Sequence, residues 1–304
     1  MLYGAGRFAL PVGGTVRGGG AVSDTIAGME RPVISLLTDF GPDGPAAICR
    51  GVILTIARDA QIVDIGHNVR KYAIRDGAFL LWCAVPYLPP AVHVAVVDPG
   101  VGTERLPIAI RTARGDFLVG PDNGLLLPAA RRLGGIEAAH RLENRDYMLP
   151  VTTSTFHGRD IFAPVGAHLS LGVPIESVGR PIDPDHLVDL RFPEPTVGAG
   201  QLDTAVLYID SFGNARLAGE PADLGAAIGA LRPGLPVALE IDDGAGGTTR
   251  ELTSWQVTFG AVPVGASLLY QDSFGLVSLA DNQGNAAERL GLRPDRPVRL
   301  KLAV

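Results

Sequence analysis

The residues best suited to chemistry are Asp98, Arg105 and His157. An apolar run at 93–97 ends at the Asp98 carboxylate. A Pro-Gly turn follows, and the cation Arg105 stands seven residues after the acid. An apolar, β-branched run that stops at Asp-Pro-Gly reads as a central strand delivering a side chain to the edge of a sheet. In open α/β sheets, ligands collect outside the carboxyl ends of the strands. His157 lies in the loop sequence TFHGRD at 155–160. An Asp, an Arg and a His together can position and polarise one water molecule, because imidazole exists in both protonation states near neutral pH. An arginine beside a carboxylate favours the ionised form and weakens it as a base. That points to holding water in place more than to stripping its proton. Taken singly, each residue also reads as structure: a strand-end ion pair, or a hydrogen-bonded loop histidine.

The elements that must position these groups alternate. Short apolar runs at 31–37, 60–65, 92–97, 106–110 and 117–119 read as strands, and 46–57, 76–84 and 161–171 read as helices. Such alternation predicts an α/β domain with a mostly parallel central sheet. Three of the strands end at an Asp beside Gly or Pro (Asp39, Asp98 and Asp122), which predicts a shared polar rim at one sheet edge. Residues 193–200 are rich in Pro and Gly and read as a linker between a domain at 30–192 and one at 201–304. Beyond it, runs at 202–209, 237–241, 251–258, 267–270, 276–279 and 298–304, with turn signals between them, predict a smaller all-β, barrel-like domain. Two of its loops echo each other, Asp210-Ser211-Phe212-Gly213 and Asp272-Ser273-Phe274-Gly275. Residues 1–28, rich in Gly, read as a flexible extension.

Composition narrows the classes. A net charge of −6 and the lack of a basic patch argue against nucleic acid as a partner. No run of about 18 apolar residues suggests a membrane span, and a cytoplasmic location is expected. Two cysteines, Cys49 and Cys83, are too few for a disulfide framework. The six histidines are scattered, there is no H-E-x-x-H, and no metal site is expected. A phosphate-binding Walker loop, a G-x-G-x-x-G after the first strand and a G-x-S-x-G elbow are likewise missing from the sequence.

Six motifs, in order, carry a more specific reading: TDFG at 38–41, VVDPGVGTER at 96–105, PDNGLL at 121–126, STFHGRDIFAP at 154–164, YIDSFGN at 208–214 and NAAERL at 285–290. With them the chain resembles, from about residue 32 to its end, the S-adenosylmethionine (SAM) hydroxide adenosyltransferases. These SAM hydrolases form adenosine and are relatives of fluorinase and chlorinase. The resemblance implies hydrolysis of SAM to adenosine and L-methionine by attack of water or hydroxide at C5′. SAM would be the substrate, with no cofactor. It also implies a homotrimer with its sites at subunit interfaces. The catalytic triad would fall on Asp98, Arg105 and His157, and the ribose-binding acid on Asp39. Tyr72 would stand as an aromatic wall. The second domain would contact adenine and methionine through Asp210, Phe212, Asn214, Tyr270 and Ser273, with Asn285 and Ala286 beside the purine.

The halogenases carry Tyr where Asp98 stands, and fluorinase carries Ser where Gly158 stands, so the chain reads as a hydrolase at both positions. A SAM-dependent halogenase and a non-catalytic SAM- or adenosine-binding protein are the alternatives. The chain departs from fluorinase at Phe274, where that enzyme has an Arg that helps hold the methionine carboxylate. Asp43 is the nearest counterpart of the acid that can bind the methionine amine.

Overall fold

A computed structural model describes residues 31–242 and 247–303, so the expected extension at 1–28 lies outside the described residues. The first half contains β1 (Val33–Thr38), α1 (Pro45–Ile56), β2 (Gln61–Gly66), α2 (Ile74–Ala84), β3 (Val92–Val96), β4 (Pro107–Thr112), β5 (Phe117–Pro121), α3 (Leu127–Arg132), β6 (Ile136–Arg141) and α4 (Ala163–Ser170). Its six strands lie in the order β2-β1-β3-β5-β4-β6. The pairs β1–β2, β1–β3 and β3–β5 are parallel, while β4 runs antiparallel to both β5 and β6.

Every residue of β1 and β3 is buried, as expected for parallel strands covered on both faces. Ile34, Leu36, Val92, Val94 and Val96 pack in one cluster with Cys49 and Ile53 of α1 and Val165 and Leu169 of α4. Leu37, Ala95 and Val97 pack in another with Ala78 and Leu81 of α2 and Ala129 of α3. Because β1, β3 and β5 are parallel neighbours, Asp39, Asp98 and Asp122 all follow strand ends on one edge of the sheet. The polar rim expected from the sequence exists.

The second half contains β7 (Thr196–Gly198), β8 (Gln201–Ile209), β9 (Ala215–Leu217), α5 (Pro221–Ile228), β10 (Leu235–Asp242), β11 (Thr248–Trp255), β12 (Ser267–Gln271), β13 (Val277–Asp281), α6 (Ala286–Arg289) and β14 (Pro297–Leu302). Pairing of β14 with β8 closes β8–β14 into a seven-stranded barrel, with β7 added outside on β8. Alternate residues such as Val237, Leu239 and Ile241 fill its interior together with Leu224 of α5 and Ala286 of α6.

Local readings moved in three places. The helix expected from residue 161 begins earlier, as a π-helical turn at Gly158–Phe162 that runs into α4. The sequence reading does not include the elements β6, β9, α3, α5 and α6, because each spans eight residues or fewer, too short to show a period of its own. Thr196–Gly198, inside the stretch read as a linker, is hydrogen-bonded to β8. The two halves meet where Phe79 of α2 stacks on Tyr208 of β8, with ring centroids 5.1 Å apart, and where Arg75 pairs with Asp295 at 2.7 Å. Among the described residues no helix is long and apolar enough to cross a membrane.

Candidate active site

Asp98 leaves the end of β3, and the turn at 98–105 folds back so that Arg105 meets it. Arg105 Nε donates to Asp98 Oδ1 at 3.0 Å and to Oδ2 at 3.1 Å, and Nη2 also contacts Oδ2. Arg105 Nη2 lies 2.9 Å from His157 Nδ1. One guanidinium therefore bridges the acid and the imidazole. The Asp98 side chain is 5% exposed and that of Arg105 10%, so each is mostly removed from water. Phe162 lies under the guanidinium, its ring centroid 5.3 Å from Cζ. A guanidinium only donates, so Nδ1 of His157 accepts and a neutral imidazole carries its proton on Nε2. Burial pushes the His157 pKa below the ordinary imidazole value, and the charge of Arg105 lowers it further.

The loop bearing His157 is tied down by a residue that sequence reasoning did not single out. Asp160 is fully buried and accepts from the Thr153 amide at 2.7 Å, from the Thr153 hydroxyl at 2.8 Å and from both Arg159 Nε and Nη2. Gly102 brings this loop against the 98–105 turn. Its φ is +77°, and a Cβ there would stand 2.3 Å from the Ser154 carbonyl oxygen. Only glycine allows both the left-handed backbone and that approach. Gly158 is crowded as well: a Cβ would lie 2.9 Å from Cζ of Phe40, whose ring meets Phe156 edge-on at 5.6 Å.

The PDNG turn braces the same strand end. Asn123 Nδ2 donates to the Val97 carbonyl at 2.9 Å, one residue ahead of Asp98. Its Oδ1 accepts from the Leu125 amide at 3.2 Å. Asp122, the third acid of the rim, is buried and accepts the Val188 amide. Burial pushes its pKa up, and it is a structural group here.

Asp39 accepts the Tyr72 amide on Oδ2 at 2.9 Å, which leaves Oδ1 for a ligand. Tyr72 has φ +66°, an unfavourable conformation for a side chain of this size, and the residue is 70% exposed. Thr38 Oγ1 lies 2.9 Å from His67 Nδ1, and the Gly41 amide bonds the His67 carbonyl, so the loops after β1 and β2 are joined beside Asp39. Asp43 is exposed in the turn before α1.

On the barrel, the two echoed loops share one geometry. Asp210 Oδ1 accepts the amides of Phe212 and Asn214, and Asp272 Oδ1 accepts those of Phe274 and Leu276, all at 2.9–3.0 Å. Asp210 Oδ2 also accepts Asn214 Nδ2 at 3.1 Å. Gly213, with φ +83°, packs on Asn285, where a Cβ would meet Oδ1 at 1.9 Å. The Ala287 amide bonds the Gly213 carbonyl. Asn285 caps α6 by accepting the Glu288 amide, and Ala286 is buried behind it. Phe212, Asn214, Asn285 and Ala286 thus belong to one cluster. Tyr270, packed on Phe259 with centroids 4.9 Å apart, stands on β12 ahead of the exposed Ser273. Phe212 is 75% exposed.

The structure therefore gathers two sets, Asp39, Tyr72, Asp98, Arg105 and His157 on the α/β domain and the remaining seven on the barrel. Among the described residues no hydrogen bond, ion pair or ring contact joins a member of one set to a member of the other. Neither do the described residues contain a cluster of His, Cys, Asp or Glu able to hold a metal ion. Sequence reasoning missed Asn123, Asp160 and Gly102. All three sit inside motifs that it quoted, so their presence there was the available signal.

Comparison with known proteins identifies two adjoining family models. Residues 34–179 match the N-terminal domain of the SAM hydroxide adenosyltransferases and residues 204–299 match the C-terminal domain. A protein of Salinispora tropica named (R)-S-adenosyl-L-methionine hydrolase is 44% identical over 270 residues, 88% of this chain and 97% of that protein. One of the same name from Thermus thermophilus is 37% identical over 281 residues, 89% and 99% of the two chains. A fluorinase of Actinopolyspora mzabensis is 27% identical over 297 residues, 89% and 97% of the chains. A crystal structure of an uncharacterized conserved protein from Thermotoga maritima superposes with a TM-score of 0.79 at 31% identity, covering 88% of this chain and 99% of that one.

Proposed function

The chain belongs to the SAM hydroxide adenosyltransferase family, and from that premise we propose that it hydrolyses (R)-S-adenosyl-L-methionine to adenosine and L-methionine. The observation that carries this reading is the bridging of Asp98 and His157 by Arg105. Their geometry divides the work on a single water. His157 offers Nε2–H, a donor, to the water oxygen. Its only free lone pair, on Nδ1, is taken by Arg105, so it is not the proton acceptor. Asp98 offers the remaining carboxylate lone pairs: it orients the water and takes the proton only as the O–C5′ bond forms, when the oxygen turns strongly acidic and a carboxylate weakened by Arg105 suffices.

The water oxygen then bonds C5′ as the C5′–S bond breaks, and the bonding pair leaves on sulfur. The leaving group is a neutral thioether, so no general acid is needed and the balance is met with no cofactor: one proton is finally released to solvent. Water is a poor nucleophile, and fixing it in line with the sulfonium can supply roughly 7–11 kcal/mol in well-oriented cases. Arg105 contacts both partners of that water. Asp39 Oδ1 is placed to accept the ribose hydroxyls, and Tyr72 and Phe212 to wall the nucleoside.

We further propose a homotrimer in which the α/β set of one subunit faces the barrel set of the next. The exposure of Tyr72 and Phe212 and the lack, among the described residues, of a hydrogen bond, ion pair or ring contact between the two sets support it. We also place the protein in the cytoplasm, where the free thiols Cys49 and Cys83 would stay reduced. Incubation of the purified protein with SAM, followed by chromatography, should give adenosine and methionine in equal amounts. SAM left intact would sink the hydrolase reading. A 5′-halo-adenosine formed in chloride or fluoride would show a halogenase instead. Asp98→Asn should abolish most turnover while SAM still binds.

A further inference from the structure

We propose that Arg216 binds the α-carboxylate of the substrate's amino-acid end, an inference that rests on SAM being the substrate. Arg216 lies on the outer face of the barrel. Its neighbours on β9, Ala215 and Leu217, point into the core. Strand register sets Arg216 opposite Tyr208 on one side and opposite Ser278 on the other, with Tyr270 beyond Ser278. The four side chains thus form a row that crosses the barrel just below the two echoed loops.

The Arg216 side chain is only 15% exposed. Cζ lies 5.5 Å from the Tyr208 ring centroid and 5.2 Å from that of Phe274. Its engagement by the chain is nevertheless slight. Nε donates to Asp272 Oδ2 at 2.8 Å, and Nη2 stands 3.7 Å from Asp210 Oδ2, beyond hydrogen-bond reach. Among the described residues nothing else bonds the two terminal nitrogens, so a largely covered cation keeps its planar Nη fork open. Two parallel N–H groups in a rigid plane match the two oxygens of a carboxylate.

The charges around the fork suit a zwitterion and not a simple anion. Asp210 and Asp272 carry two negative charges against the one positive charge of Arg216, which leaves one carboxylate in surplus. An α-amino acid brings a carboxylate for the Nη fork and an ammonium for the spare Oδ2 lone pair of Asp210. A ligand with a carboxylate alone would meet the surplus negative charge. Phe274 carries no charge and closes one side of the fork, so Arg216 is the cation that the echoed loops have between them.

The test compares SAM with the analogue in which hydrogen replaces the α-carboxylate. Arg216→Gln should raise KM for SAM about 30-fold, the loss expected for a charge-assisted bidentate contact, and leave KM for the decarboxylated analogue unchanged. Because Gln leaves Asp272 without its partner, the double variant Arg216→Gln/Asp272→Asn guards against misfolding. Asn keeps the Oδ1 acceptor of the turn, and the same selective loss on SAM should follow. Equal losses on both substrates would mean that Arg216 only holds the loops, and no loss on either would remove it from the site. Each of those results overturns the inference while hydrolysis by the unaltered protein stands. If the unaltered protein turned over neither compound, the hydrolase reading would fall and this inference with it.

Discussion

Asn123 Nδ2 reaches the Val97 carbonyl at 2.9 Å, so the turn after β5 fixes the backbone from which Asp98 projects. The contact is between neighbouring parallel strands and does not touch the reacting atoms. Asn123→Ala leaves that strand-end carbonyl without its donor. Turnover number should fall about tenfold, the scale at which small misplacements act, while KM for SAM holds. A loss confined to KM would show that Asn123 does not position Asp98.

Arg105 contacts Asp98 and His157 at once, which a lysine cannot reproduce because its ammonium is a single point charge. Arg105→Lys should reduce kcat by roughly 100-fold, within the range of proton-handling groups, with SAM binding retained. Full activity of the lysine variant would mean that charge alone matters and that the bridge is incidental.

Gly102 lets the Arg105 turn lie against the His157 loop. Gly102→Ala combines a left-handed φ with a Cβ 2.3 Å from the Ser154 carbonyl oxygen. The left-handed backbone alone costs more than about 1 kcal/mol, and relieving the clash with the Ser154 backbone forces the two loops apart, which displaces the triad. Steady-state kinetics should show kcat falling by roughly 10- to 100-fold, together with a lowered melting temperature. Unchanged kinetics would show that the close approach is not needed for chemistry.

His157 has its pKa lowered, first by burial and then by Arg105. The neutral ring should therefore persist to more acid pH than a free imidazole with its value of 6.5. Activity should be level through neutrality and drop only below that value, since a protonated Nδ1 would face the donor of Arg105. A pH–kcat profile with an acid midpoint at or above 6.5 would contradict this. In His157→Gln the limb should disappear along with most of the activity.

Far from this site, Asp116 is buried beside His93, whose other ring nitrogen meets Ser35, with Arg114 forked on its carboxylate at 2.7 Å to each oxygen. Burial raises its pKa, but Arg114 and His93 outweigh burial and bring it down from 3.8 to about 2. A depressed carboxylate contributes stability above its unfolded value and loses it as pH falls through the folded one. About 2 kcal/mol should thus vanish between pH 3.8 and about 2. Asp116→Asn should flatten the acid-unfolding curve in that window, as read by circular dichroism.

The sequence by itself determined the classes of both domains and singled out Asp98, Arg105 and His157 as the candidate triad. Strand and helix periods repeat locally, and the acid-Gly turns mark strand ends wherever they occur, so β1, β3 and β5 and their terminal acids could be read directly. The motifs also fixed which residues belong together by family. Tertiary structure alone decided how they act. Arg105 and His157 are 52 residues apart, and their loops come together where Gly102 meets Ser154. The tautomer of His157 follows from that contact and from nothing in its own motif. In the same way Arg216 reads as an ordinary strand cation until β9 is set between β8 and β13 and the two echoed loops close on it. Chain-local patterns reach only a few residues, whereas the direction of a hydrogen bond or the openness of a guanidinium depends on what distant strands bring beside it.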